Sequence, residues 1–250
     1  MEKLHRKYRE LWGSESEMLV LQRKIIESKP VLRSMYNNFY SEIDRFMPGN
    51  GLNVEIGTGH GYTGKYFKNL IQTDRVLTPL IALCNDAQAL PYKDSTLDTV
   101  MVLGVLHHMK APDKFFSESR RVLKKGGKII MIEPYVSLFS YPVYKFAHHE
   151  SLNLKTKKIS SEKYYLLDAN IAIPTIFFKK EKEEFKKNYP DLEIIYESYH
   201  TVLQFFVSGG YYHPNLLPKF LLPVLLRVEK MLRPFGKWIG SMMTIVIQKN

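Results

Sequence analysis

Four glycines stand within the eleven residues from Val54 to Gly64, VEIGTGHGYTG, directly after a short apolar run. Glycine lets the backbone approach a ligand closely and adopt positive φ angles, so such a loop suits a nucleotide-like cofactor. Two patterns overlap in it: residues 59–64 fit the dinucleotide pattern G-x-G-x-x-G, and residues 55–61 read E-x-G-x-G-x-G. An acid two residues before the first glycine is awkward for a pyrophosphate. It is useful for a cofactor whose ammonium and carboxylate groups need different partners.

Two aspartates could complete a nucleoside site. Asp74 follows Glu55 by 19 residues, about where a carboxylate accepts hydrogen bonds from ribose hydroxyls in either kind of cofactor. Asp86 could accept a hydrogen bond from the exocyclic amine of adenine. The two aspartates therefore favour a nucleoside cofactor without choosing between the two patterns.

Candidate acid–base residues come later in the chain. His148, His149 and Glu150 follow the fifth predicted strand, where a lid over the reacting group would lie, and histidine suits a general base near neutral pH. We predict these three as catalytic residues; a solvated helical surface is the alternative. We expect no metal site from them, because neighbouring side chains on a helix diverge.

The elements that must position these residues alternate between strand and helix. The unbroken apolar run Asp98–Val105 is typical of a strand covered on both faces, as in a parallel sheet. The pattern predicts strands at 52–56, 75–78, 80–84, 98–105, 128–132, 192–196 and 244–248, and helices at 62–70, 112–123 and 179–188. This order predicts an α/β, doubly wound fold, in which ligands bind at the carboxyl ends of the strands.

We expect one domain with four parts. They are a helical N-terminal segment (1–47), a cofactor-binding core (48–135), an insertion or lid (136–178), and the C-terminal part of the sheet (179–250), which carries a second insertion (201–241).

Residues 52–135 resemble the class I S-adenosylmethionine-dependent methyltransferases. The resemblance is carried by VEIGTGHG, by NDAQALPYKDSTLDTVMVLGVLHHM, and by FFSESRRVLKKGGKIIMIEP. It is strongest to the small-molecule, type 11-like subgroup with D-A-x-x-L-P-F and L-H-H motifs. It implies a Rossmann-like, seven-stranded and mostly parallel sheet with an antiparallel last strand. It also implies S-adenosylmethionine as cofactor and S-adenosylhomocysteine as product.

The resemblance assigns roles to particular positions. Glu55 shapes the glycine loop and helps to bind the methionine ammonium, Asp74 binds the ribose hydroxyls, and Asp86 with Ala87 meets the adenine. The residues that it places around the cofactor are Glu55, Gly57, Thr58, Gly59, Gly61, Asp74, Asp86, Ala87 and Gly104. His107 and His108 match the family's strand-four end, where they pack, orient a group or catalyse.

The implied function is methyl transfer to oxygen or carbon of a small or lipid-like acceptor. The alternatives are an RNA methyltransferase, which the charge suggests but no separate nucleic-acid module supports, and a non-catalytic cofactor-binding scaffold. A nicotinamide oxidoreductase is disfavoured: Tyr141 and Lys145 fit Y-x-x-x-K, but Pro142 interrupts the helix that this pair needs.

Composition limits the partners and the compartment. The formal charge is +11, which favours anionic partners or serves solubility alone. Residues 216–240 mix apolar and basic residues, as a helix lying on a membrane would; packing over the sheet or the active site is the alternative. The single cysteine, Cys84, excludes an intrachain disulfide and is expected in the core. The charged N-terminus and the lack of a run of roughly 20 apolar residues indicate a cytoplasmic protein, of undetermined oligomeric state.

Overall fold

A computed structural model describes residues 14–148, 150–159, 168–201, 203–211 and 213–250. Its centre is one seven-stranded sheet in the order β3-β2-β1-β4-β5-β7-β6. The strands are β1 (Asn53–Ile56), β2 (Leu70–Asp74), β3 (Leu83–Cys84), β4 (Leu97–Leu103), β5 (Leu123–Pro134), β6 (Leu192–His200) and β7 (Met242–Lys249). Strands β3, β2, β1, β4 and β5 pair in parallel, and β7 lies antiparallel between β5 and β6. The predicted mostly parallel sheet with an antiparallel last strand is confirmed.

Helices flank the sheet, and two of them precede its first strand in the sequence. The α-helices are α1 (Glu15–Ser28), α2 (Pro30–Asp44), α3 (Pro112–Val122), α4 (Ser140–Phe146), α5 (Ile173–Thr175), α6 (Lys182–Asn188), α7 (Gln204–Val207), α8 (Leu222–Leu232) and α9 (Gly236–Ile239). Short 3₁₀ turns occupy Tyr62–Lys65, Leu106–His108, Lys219–Leu221 and Arg233–Phe235, and a π-helical turn spans Ile176–Lys180.

The central strands are buried on both faces, as their unbroken apolar runs predicted. Along β4, Val100 and Val102 pack into one hydrophobic cluster and Met101 packs into the other. Along β5, Ile129 and Met131 likewise point away from Ile130. Because successive side chains of a strand alternate between faces, this division places one core on each side of the sheet.

The second strand was predicted in the wrong place. It spans Leu70–Asp74 rather than 75–78, and only a 3₁₀ turn stands where a helix was predicted at 62–70. Gln72 in this strand donates to Glu55 and Thr58, so it meets a polar cluster instead of apolar core. Because these hydrogen bonds satisfy the polar side chain of Gln72, a polar residue is tolerated inside the strand. The apolar pattern that marks the other strands is therefore weak in β2.

Cys84 is exposed, contrary to the expectation of a core position. It ends β3, a two-residue strand at the sheet edge with both side chains exposed. Its thiol donates to the carbonyl oxygen of Arg75 at 3.1 Å.

Candidate active site

A cavity of 540 Å³ opens at the carboxyl ends of the parallel strands. Its floor includes the segments after β1, β2, β3 and β4 and the last residue of β5, as expected for a doubly wound sheet. Its walls come from α1 and α2, from residues 143–148 with Glu150, and from residues 205–211 with His213. The N-terminal helices and both insertions therefore enclose one space with the glycine loop.

The glycine loop after β1 needs its glycines for backbone reasons. Gly57, Gly59 and Gly61 have φ angles of +70°, +54° and +60°. A Cβ atom on Gly57 would also lie 2.6 Å from Cγ2 of Val105. The loop is tied to β2 by a hydrogen bond from the Thr58 amide to the Thr73 carbonyl, 2.9 Å long.

Glu55 lies behind this loop. Its carboxylate accepts hydrogen bonds from the hydroxyls of Thr58 and Thr63 at 2.5 and 2.8 Å, and from Gln72 Nε2 at 3.2 Å. Burial raises the pKa of the Glu55 carboxyl, while these three hydrogen bonds act in the opposite direction. The geometry makes Glu55 a support for the loop conformation.

Asp74 reaches the same loop from the end of β2. Its Oδ2 accepts from the Gly59 amide at 2.7 Å, and its Oδ1 accepts from the Val76 amide at 2.9 Å. Asp86, after β3, is exposed, and its Oδ1 accepts from the Gln88 amide at 2.9 Å. Both side chains line the cavity, at the ends of the neighbouring strands β2 and β3.

The structure brings most of the expected cofactor residues to the cavity. Those lining the cavity are Gly57, Thr58, Gly59, Asp74, Asp86, Ala87 and Gly104. Glu55 and Gly61 lie outside this lining, although both belong to its loop. A Cβ on Gly104 would meet nothing nearer than His107 Cε1 at 4.0 Å, so this backbone faces open space. Bare backbone, two carboxylates and an apolar floor fit a nucleoside joined to an amino acid.

Four side chains from distant parts of the sequence form a cluster, and three of them line the cavity. We call His107, His108, Glu133 and Glu150 the histidine–glutamate cluster. The two histidines follow β4, Glu133 lies near the end of β5, and Glu150 comes from the first insertion. The 3₁₀ turn Leu106–His108 presents both imidazoles side by side, with ring centroids 4.2 Å apart.

Glu133 anchors this cluster. Its Oε1 accepts from the amides of Val105 and Leu106, each at 2.8 Å, and its Oε2 lies 2.7 Å from His107 Nδ1. On the other side of the rings, Nε2 of His107 and Nε2 of His108 each lie 3.5 Å from an oxygen of Glu150. The two glutamates therefore hold His107 between them.

The two neighbouring histidines have opposite pKa shifts. Burial would lower the pKa of His107, but hydrogen bonding to Glu133 and Glu150 outweighs it and raises the pKa to about 10. Burial and the adjacent charge of His107 lower the pKa of His108 to about 4. Burial would raise the pKa of Glu150, yet the surrounding histidines hold it well below its usual range. Near neutral pH the cluster thus contains a neutral imidazole beside a charged one.

The candidate catalytic residues have different positions. Glu150 and His148 both line the cavity, and the Glu150 amide donates to His148 Nδ1 at 3.3 Å. His149 lies outside the described residues. Sequence reasoning assigned His107 and His108 only through the family match, and it gave Glu133 no role. The sequence did contain a signal for these three residues, because each lies at or just after the end of a central strand, where ligands bind in such a sheet.

Tyr141 and Lys145 are on the exposed side of α4. Lys145 Nζ lies 3.3 Å from Tyr141 Oη, and neither residue is part of the cavity lining. They are therefore not arranged as a nicotinamide-dependent catalytic pair facing this cavity.

A family model described as a methyltransferase domain matches residues 54–131. This chain carries a class I, S-adenosylmethionine-dependent methyltransferase domain. The matched region of the methyltransferase domain contains the glycine loop, both aspartates and the two histidines after β4.

Some proteins are similar to this chain in sequence, and one solved structure is similar to it in fold. An uncharacterized protein of Methanocaldococcus jannaschii is 33% identical over 39% of this chain and 51% of its own length. The ubiquinone/menaquinone biosynthesis C-methyltransferase UbiE of Cupriavidus metallidurans is 43% identical over 23% of each chain. A crystal structure of a SAM-dependent methyltransferase from Thermotoga maritima has a TM-score of 0.56 and 17% identity, covering 98% of this chain and 99% of that one. This chain thus spans about half or less of the relatives it matches by sequence and shares the whole fold with the third.

Proposed function

We propose that this protein transfers the methyl group of S-adenosylmethionine to oxygen or carbon of a small, largely apolar acceptor. The observation that carries the proposal is the single cavity that joins the glycine loop to the histidine–glutamate cluster. The domain supplies the cofactor end of that cavity, and the N-terminal helices and both insertions supply the other walls.

The acceptor end of the cavity favours an apolar or lipid-like molecule. Aromatic and aliphatic side chains from the N-terminal helices and both insertions line it: Met18, Leu19, Met35, Tyr36, Phe39, Val143, Tyr144, Phe205, Phe206 and Tyr211. Such surfaces bind ligands by excluding water, with a few polar groups fixing orientation.

Each wall would have a separate chemical task. S-Adenosylmethionine supplies an electrophilic methyl group on sulfur when bound. The loop residues Gly57 and Gly59 and the carboxylate of Asp74 hold the cofactor, and the aromatic walls exclude water. Transfer of that methyl group to an acceptor oxygen or carbon would release a proton from the acceptor. We assign the proton to the His108–Glu150 pair, with His148 adjoining it.

Calorimetry with S-adenosylmethionine and S-adenosylhomocysteine tests the cofactor site. Asp74→Asn and Asp86→Ala should each weaken binding by about 10-fold or more, as expected when a hydrogen bond to a charged group is lost. Asp44→Ala, at an exposed position at the end of α2, is the matched control and should bind normally. If the wild-type protein binds neither compound, the proposal fails.

A methyl-labelled cofactor then separates this function from its alternatives. Incubation with a cell extract should move label into organic-soluble small molecules. Label in RNA would instead favour an RNA methyltransferase. Cofactor binding with no transfer to any fraction would favour a non-catalytic scaffold.

We further propose that residues 216–240 rest against an anionic membrane surface. Val224 and Met231 are seven residues apart on α8, share one face and are both exposed. Further exposed apolar side chains in the segment are Leu216, Phe220, Phe235 and Trp238, interspersed with Lys219, Arg227, Lys230, Arg233 and Lys237. Exposed apolar groups among cations suit the interface of an acidic bilayer. Among the described residues, no helix combines the length and apolar character that crossing a bilayer needs.

A further inference from the structure

The histidine–glutamate cluster has a feature that methyl transfer does not require. His107, His108 and Glu150 each offer a donor atom, and these three atoms all lie within 4.8 Å of one another. We propose that these three residues bind a divalent transition-metal ion of the Zn²⁺ class. The sequence-based expectation of no metal considered Glu150 only with its chain neighbours, whereas the fold pairs it with histidines 42 and 43 residues earlier.

The spacing of the donor atoms fits a small ion. Each histidine Nε2 lies 3.5 Å from its nearer Glu150 oxygen. Ligands about 2.1 Å from a tetrahedral Zn²⁺ are separated from one another by about 3.4 Å. The separation between each imidazole nitrogen and the carboxylate is therefore close to that between two ligands of one ion.

The outer contacts of both histidines provide an independent argument. Nδ1 of His107 faces the Glu133 carboxylate at 2.7 Å, and Nδ1 of His108 faces the backbone oxygen of Asp168 at 3.1 Å. Metal-binding histidines usually donate their second N–H to a carboxylate or carbonyl, which fixes the ring and leaves the other nitrogen for the ion. Both rings have this arrangement, and both direct Nε2 towards Glu150.

The donor set also indicates the class of ion. Two imidazoles and one carboxylate suit Zn²⁺, Fe²⁺ or Mn²⁺ better than Mg²⁺, which prefers oxygen ligands alone. Three protein ligands leave a position open, and all three residues line the cavity. If the proposed methyl transfer holds, an acceptor oxygen at that position would bind the ion and release its proton more readily.

Zinc titration of chelator-stripped protein tests the site without any cofactor. Calorimetry should give one Zn²⁺ per chain, and Co²⁺ should give a visible absorption band in the same stoichiometry. Glu150→Gln and His108→Gln should each weaken Zn²⁺ binding at least 10-fold. Glu133→Gln, which removes only the outer partner of His107, should weaken it by about 10- to 100-fold.

His213→Gln is the control, because His213 lines the cavity but is not among the three proposed ligands. It should bind Zn²⁺ like the wild-type protein. Circular dichroism identifies any variant that fails to fold. The variants that do fold then show whether Zn²⁺ binds at the proposed site. The proposal is overturned if the wild-type protein binds no stoichiometric Zn²⁺, or if Glu150→Gln and His108→Gln leave Zn²⁺ binding unchanged. The cluster would then be only an ion pair between His107 and its two glutamates. S-Adenosylmethionine binding by the stripped protein is scored separately, so failure here does not count against methyl transfer.

Discussion

At the scale of single residues, the cofactor wall depends on backbone geometry more than on side-chain chemistry. Gly57 combines a positive φ angle with a close approach to Val105. Both carboxylate oxygens of Asp74 accept hydrogen bonds from backbone amides in or near the loop. These contacts fix where bare backbone faces the cavity. The loop is therefore shaped before any cofactor binds.

Gly57→Ala should destabilise the protein by about 2–4 kcal/mol, because the new methyl group meets Val105 in a left-handed conformation. Chemical denaturation measures this change, and calorimetry should show weakened S-adenosylmethionine binding. Gly49→Ala is the control, since its Cβ would meet nothing within 4 Å and its φ is not positive. Equal stability of the two variants would mean that the loop relaxes freely.

At the scale of elements, the N-terminal helices are joined to the opposite end of the chain. Glu42 on α2 accepts hydrogen bonds from Tyr196 on β6 at 2.5 Å and from Arg45 at 3.0 Å, and it pairs with Arg233 at 3.3 Å. Burial would raise the pKa of Glu42, but these three partners hold it below its usual value. This contact helps to keep α2, a wall of the cavity, against the sheet.

The lowered pKa gives a signed pH dependence. The folded-state pKa of Glu42 lies below the unfolded value, so its contribution is full above about pH 4.5 and is lost as pH falls through the folded pKa. Glu42→Gln should cost about 1–2 kcal/mol at pH 7 and less at pH 3.5. Thermal unfolding across this range measures the difference. The same pH slope in Glu42→Gln and wild type would contradict the assignment; exposed Glu193→Gln serves as control.

At the scale of the whole molecule, charge and exposed apolar surface coincide in the second insertion. The backbone amide of Phe139 in the first insertion lies 3.4 Å from the carbonyl oxygen of Trp238, so the two insertions adjoin. Leu138, 82% exposed, extends the apolar area beside that contact. A membrane on this side would lie next to elements that enclose the cavity, which suits a lipid-like acceptor.

Co-sedimentation with vesicles tests this surface. Binding to phosphatidylserine-containing vesicles at low salt should exceed binding to phosphatidylcholine alone, and added salt should weaken it. Phe220→Ser with Trp238→Ser should reduce binding at least several-fold. The exposed Leu77→Ser, after β2 and remote in sequence, is the control. Absence of binding to anionic vesicles at low salt would refute the membrane contact.

Local patterns were sufficient for much of this protein. The buried runs of β4 and β5, the glycine loop and the Asp86–Tyr92 motif predicted a parallel α/β sheet and the region that the methyltransferase family model matches. Each of these features lies within a short stretch of sequence, and its residue types follow from the local backbone conformation and from burial. The position of β2 could not be predicted in this way, because Gln72 is satisfied by Glu55, a partner on another strand.

By itself, the sequence determined the alternation of strands and helices in the core, the buried central strands, and the loop that faces a cofactor. Only the tertiary structure decided what surrounds that loop. It placed α1 and α2 on the cavity, exposed Cys84, and brought Glu150 against His107 and His108. The reason is physical: periodicity reports which face of an element is buried, whereas contacts between distant segments depend on how those faces pack together.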